Sequence, residues 1–140
     1  MALYVLLIVA SQYCFNRSAN RGECAQFCRL KFDLSDSSGK VIERNRHLLS
    51  LKDMNQSANL ERLVDAGATS FKIEGRLKDI SYVKNVTAAY SRLLDDIVCR
   101  NNGKYRRASL GHCNHGFNPE LSKSFNRGFT TYFADGRQSD

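Results

Sequence analysis

Two thiols separated by three residues, with an arginine on either side, are the first chemistry this sequence offers. Cys24 and Cys28 lie in the stretch Asn20-Arg21-Gly22-Glu23-Cys24-Ala25-Gln26-Phe27-Cys28-Arg29. On a loop, two such thiolates can ligate a metal ion or an iron–sulfur cluster, and neighbouring guanidinium groups favour the thiolate form. Arg21 and Arg29 also suit contact with an anionic partner such as RNA. The same cysteines equally suit two small buried residues. His112, Cys113 and His115 would complete a four-ligand zinc site, but their spacing matches no standard finger.

A second constellation is Phe71-Lys72-Ile73-Glu74-Gly75-Arg76. On a strand, Lys72 and Glu74 share one face, two residues apart, and Arg76 follows at the exit. Lys72 and Arg76 can hold carboxylate or phosphate, while Glu74 orients bases or accepts a proton. A salt-bridged interior would use the same residue types, and Lys52 with Asp53 reads in the same two ways. Arg106 and Arg107, with Lys123 and Arg127 and the aromatics between them, suit RNA backbone contact and base stacking. They equally suit a solvated surface over a small aromatic core.

These groups need elements to place them. Leu48-Leu49-Ser50-Leu51-Lys52 reads as a short strand. Asn59 is placed to cap a helix carrying Leu60, Leu63 and Val64, and Gly67 is placed to stop it. Thr69 to Glu74 alternates as a strand does. A longer helix follows from about residue 81 to 98, with Tyr82, Val83, Val86, Tyr90, Leu93, Leu94 and Ile97 on one stripe. Strand–helix–strand–helix implies an α/β fold with a parallel sheet, and polar residues at the strand ends suit the mouth of a (β/α) barrel. A full barrel takes roughly 200 residues or more. The expectation is therefore two βα units from the C-terminal part of a TIM-like barrel within residues 1–100. A basic linker is expected at 101–116, and the start of a small β-rich module at 117–140.

The chain of 140 residues carries a formal net charge of +7, from 21 Lys+Arg against 14 Asp+Glu. That favours an anionic partner, RNA ahead of an acidic membrane. Five cysteines make an odd count, and paired thiols without a secretory signal point to a reducing cytoplasm. The apolar run Ala2 to Ala10 is too short for a bilayer, which takes about 20 residues. It lacks a basic flank and reads as a buried strand.

The motifs, in this order, resemble the collagenase-like peptidase family U32, and in particular its branch of ribosomal-RNA and transfer-RNA hydroxylation proteins. The residues that carry the resemblance are Arg17 to Arg29, His47 to Asn55, Asp65-Ala66-Gly67, Phe71 to Asp79, Tyr82-Val83-Lys84 and Lys123 to Phe129. The resemblance implies a TIM-like barrel followed by β-rich modules. It implies either oxidation of an RNA pyrimidine, with prephenate and a four-cysteine iron–sulfur cluster, or the peptidase activity in the family's name. It puts Cys24 on a cluster-ligand position, with Cys28 in the same motif, and Lys72, Glu74 and Arg76 at the barrel mouth.

The chain also departs from the family pattern. Relatives begin this region with a His-Gly-Ala-Leu-Cys stretch and a Ser-Gly-x-Cys stretch. Here it runs Met1-Ala2-Leu3-Tyr4-Val5-Leu6-Leu7-Ile8-Val9-Ala10-Ser11, with neither cysteine. Cys14 is nearby but out of place, Asn16 replaces a glycine and Ser91 an arginine. The expectation is a partial family member that does not assemble the cluster alone and has little or no catalysis. Peptide hydrolysis and RNA binding without turnover are the rival readings. An open barrel edge would call for a partner or self-association.

Overall fold

The computed structural model describes residues 10–75, 78–111 and 113–136, and it divides into two compact units, Met1–Leu51 and Lys52–Asp140. The expected segments at 1–100, 101–116 and 117–140 thus meet a division at residue 51, and residues 117–136 share a unit with 52–100. The strand expected at Ala2 to Ala10 lies almost wholly outside the described residues.

In the first unit, a helix over 10–15 (α1) leads into two single-turn 3-10 segments, Ala19–Arg21 and Phe27–Arg29. An antiparallel hairpin follows, β1 (Phe32–Ser35) and β2 (Val41–Arg46), with register shifts between its pairs. The turn is built by Asp36, whose Oδ1 accepts from Ser38 N at 2.9 Å, Ser38 Oγ at 2.6 Å and Lys40 N at 3.0 Å. Almost every hairpin side chain is exposed.

In the second unit, β3 is only Asp53–Met54, and it pairs in parallel with β4, Phe129–Thr130. This corrects the strand expected at Leu48 to Lys52. The backbone pairs where a partner reaches it: Asp53 N donates to Gly128 O at 3.0 Å and Asn55 N to Thr130 O at 2.9 Å. The segment Thr69 to Glu74 is corrected too, because it has no strand structure. Alternation shapes a segment for a sheet, but only a neighbouring strand makes it one. None pairs with it among the described residues.

The helical expectations fare better. Helix α2 is Leu60–Asp65, and Gly67 after it sits at φ +96°, the left-handed stop that a side chain would strain. Asn59 occupies the cap position without a side-chain capping bond. Helix α3 is Ile80–Arg100. Its N-cap is Asp79, whose carboxylate accepts from Tyr82 N at 2.7 Å, a satisfied orphan donor. The core lies between α2 and α3: Leu60, Val86, Ala88, Ala89 and Ile97 are buried. Among the described residues no helix is long and apolar enough to cross a membrane.

Candidate functional site

The cysteine loop is shaped by backbone turns and one buried hydroxyl. Gly22 takes φ +86° and donates its N–H to Ala19 O at 3.2 Å, and Glu23 N donates to Ser18 O at 3.0 Å. These bonds reverse the chain just before Cys24. Ser11 is fully buried. Its Oγ donates to Arg17 O at 2.9 Å and accepts from Ala25 N at 3.0 Å, so it ties α1 to the residue between the thiols. Phe15 stacks on Phe27, with centroids 5.8 Å apart. Sequence reasoning missed Ser11, since a serine at the end of an apolar run gives no periodic signal.

Within this loop Cys24 and Cys28 are free and half-buried. Cys24 Sγ accepts from Gln26 N at 3.4 Å. Cys28 sits in the single turn Phe27–Arg29. Arg21 points to solvent, and Arg29 Nη1 donates to Ser50 Oγ at 3.2 Å. A four-thiolate cluster takes four sulfur ligands. Cys14 is exposed, and among the described residues no three His, Cys, Asp or Glu side chains gather where they could hold a metal ion. The donor set present therefore does not fit such a cluster.

In the second unit, Lys72 Nζ and Glu74 Oε1 form an ion pair at 2.7 Å, with side chains 85% and 72% exposed. The spacing of two does bring them together, but in open solvent, where such a pair contributes about 0–1 kcal/mol. Arg76 lies outside the described residues. Arg106 is exposed, and Arg107 Nη1 reaches Asp95 Oδ1 at 3.4 Å beside the C-terminal half of α3.

The more organised geometry joins β3 to the segment before β4. Asp53 Oδ1 accepts from Arg127 Nη2 at 2.7 Å, and Oδ2 accepts from Arg127 N at 3.0 Å. Both side chains are about three-quarters buried, at 23% and 25% exposure. Next to this pair, Tyr90 OH accepts from Gln56 N at 3.1 Å and lies 3.1 Å from Asn55 Oδ1, to which it donates. Burial raises the Tyr90 phenol above its usual value. Burial also raises Tyr82, with the Asp53 carboxylate adding to it and Arg127 opposing. Farther along, Gln56 Nε2 donates to Thr131 O at 2.8 Å, while Arg62 Nη2 donates to Ala134 O at 2.6 Å and Asp135 Oδ1 at 3.1 Å. Asp53 to Asn55, the end of one sequence motif, and Arg127 to Phe129, the end of another, are thus parts of one joint. Their opposite charges were the available signal.

Comparison with known proteins places these motifs. The chain is 53% identical over 124 residues to the 23S rRNA 5-hydroxycytidine synthase of Escherichia coli strain K12, covering 89% of this chain and 19% of that protein. It is 37% identical over 114 residues to a collagenase of Porphyromonas gingivalis, covering 81% of this chain and 30% of that protein. It is 33% identical over 93 residues to tRNA hydroxylation protein P1 of Bacillus subtilis strain 168, covering 62% and 22%. The chain thus spans 19% to 30% of the length of these relatives. No solved structure gives a significant match. The description Peptidase family U32 matches residues 8–140, nearly the whole chain and every motif described above, so the chain belongs to peptidase family U32.

Proposed function

We propose that this chain carries part of the catalytic barrel of an RNA pyrimidine-hydroxylating protein of the family, and that by itself it engages RNA without turnover. The carrying observation is the 53% identity to a ribosomal-RNA hydroxycytidine synthase, against 37% to a collagenase. The parallel β3–β4 pair with helices α2 and α3 in the crossover supports reading the second unit as the C-terminal part of a TIM-like barrel. In that reading Lys72 and Glu74 face the mouth of the barrel once neighbouring strands are present, and the cytoplasm is the compartment. Cys24 and Cys28 amount to two of the four thiolates that an iron–sulfur cluster takes, so this chain by itself does not complete one.

The test is a chimera. In an E. coli strain lacking its 5-hydroxycytidine synthase, the gene is returned with the 124 matching residues replaced by those of this chain. Mass spectrometry of digested 23S rRNA should detect 5-hydroxycytidine in the chimera strain and none in a strain expressing this chain alone. A chimera that accumulates normally yet leaves the nucleotide unmodified overturns the assignment. Modification by the chain alone overturns the loss of turnover.

The collagenase relatives favour peptide hydrolysis as a second reading. The described geometry does not assemble it: Ser50 accepts from Arg29, and His115 packs on Phe117 at 5.8 Å. Gelatin hydrolysis that survives repurification and disappears in Glu74→Ala would restore that reading.

A further inference from the structure

A cleft lies along the N-terminal half of α3, in the second unit. It has a volume of about 420 Å³ and is lined by Tyr82, Lys84, Phe117, Lys123 and Phe125 among others. That volume lies within the range of about 300–1,000 Å³ that suits a small ligand or a nucleotide. Its walls are held in place. Asn85 Nδ2 donates to Glu120 O and to Ser124 Oγ, both at 2.6 Å, and its Oδ1 accepts from Glu120 N at 2.9 Å. Arg92 donates to Asn118 Oδ1 at 2.7 Å and to Phe117 O at 3.1 Å. The segment carrying both phenylalanines is therefore clamped to the helix at two points.

Tyr82, Phe117, Phe125, Lys84 and Lys123 make the lining aromatic and cationic, and Lys78 and Arg127, outside the lining, reach its rings. Lys78 Nζ stands 4.6 Å from the Tyr82 ring centroid and 4.8 Å from that of Phe125, and the Arg127 guanidinium is 5.9 Å from Phe125. Among the described residues neither Lys78 nor Lys84 is paired with a carboxylate, whereas Lys123 is paired with Glu120 at 2.8 Å. Asp79 is the carboxylate in the lining, and it is engaged by Tyr82 N at the start of α3. Phe125 remains 67% exposed beside these cations. An exposed ring costs solubility without stabilising the fold, and cations around it disfavour an apolar protein partner. Rings with unpaired lysines beside them suit stacked bases with phosphates alongside.

We propose that this cleft is a single-stranded RNA subsite in which a base stacks at Phe125 and Lys78 and Lys84 meet the flanking phosphates. The proposal rests on the RNA reading above and names the surface that would carry it. Duplex RNA keeps its bases stacked inside the helix and cannot use the ring.

The test uses the full chain and a fluorescein-labelled 12-nucleotide single-stranded pyrimidine RNA, with duplex RNA of equal length and inorganic polyphosphate as competitors. Single-stranded RNA should bind more tightly than either competitor. Phe125→Ala should weaken it about tenfold or more while leaving the salt dependence unchanged. Lys84→Gln should flatten the slope of log affinity against log salt by about 0.7. Phe133→Ala, at an exposed ring outside the cleft, should match the parent chain. Circular dichroism establishes that each variant is folded. Equal affinity of folded Phe125→Ala and parent overturns the proposal, as does polyphosphate competing as well as RNA, or no binding in 50 mM salt. A failed chimera with intact, Phe125-dependent binding would sink the hydroxylation reading and leave the subsite standing.

Discussion

The two units hold themselves together by different means. From Lys52 onward the described residues bury Leu60, Val86, Ala88, Ala89 and Ile97, and Asp53 and Arg127 form a mostly buried ion pair. Up to Leu51, Ser11 is the one described residue that is buried. That unit is organised by backbone turns, a serine hydroxyl and a stacked pair of rings. Burying apolar surface is the main favourable contribution to folding, at about 25 cal/mol per Å². The unit that carries Cys24 and Cys28 therefore has the weaker support among its described residues.

The sharpest way to break this contrast is to remove a core side chain. Leu60→Ala should destabilise the second unit by about 2–5 kcal/mol through lost transfer energy and a cavity. Urea unfolding followed by far-ultraviolet circular dichroism, which α3 dominates, should show the lower midpoint. An unchanged midpoint would mean that the α2–α3 contact is not the core.

Next in size is the joint between β3 and the segment before β4. Asp53→Asn removes a charge-assisted pair and should cost about 1.5–3 kcal/mol, with Arg127→Met similar and the double variant less than the sum. Additive losses in that cycle would show that the two side chains do not act together.

A smaller effect is expected in the first unit. Ser11→Ala leaves Ala25 N and Arg17 O without their partner, at a cost of about 1–3 kcal/mol for a buried group. Thiol titration should then modify Cys24 faster while the α3 signal stays unchanged. Coupled changes in both readouts would merge the two units into one.

The smallest effect is a pH dependence. Asp135 is held below the usual carboxylate value, first by a hydrogen bond from Thr131 and then by Asn59, with Arg62 contributing. Its contribution is fully present above the unfolded value near 4 and is lost as pH falls through the lower folded value. Asp135→Asn should therefore lower stability above pH 6, where the contribution is present, and flatten the acid limb below pH 4, where the parent chain loses it. An unchanged acid limb would remove Asp135 from the joint.

Sequence reasoning reached the helices better than the strands, for a physical reason. The spacing of Val86, Tyr90, Leu93 and Ile97 is local information, and α3 follows it to within two residues at each end. Gly67 likewise announces its own conformation. A strand depends on its neighbour, which spacing cannot reveal: Thr69 to Glu74 alternates without pairing, while two residues at Asp53–Met54 pair with Phe129–Thr130. The β1–β2 hairpin was missed although Asp36-Ser37-Ser38-Gly39 is a turn signal between two alternating runs. At the candidate site, residue types and family motifs pointed to Cys24, Cys28, Lys72 and Glu74. They did not show that the Lys72–Glu74 pair lies in open solvent, which burial alone reveals, nor that Lys78 reaches the Phe125 ring, because a contact across more than forty residues leaves no local pattern.

The parallel pair of β3 and β4 also sets an order of events. Residues near 53 must wait for residues near 129 before their ladder can close, and loops of that length form late because most of the chain's freedom must first be lost. During synthesis, helix α3 can form as soon as it clears the ribosome, but Asp53 meets Arg127 only after residue 127 has emerged as well. Closure of the joint is thus timed by the segment around residues 127–130, and a ribosome stalled before residue 127 would hold a nascent chain with its core helices made and its joint still open.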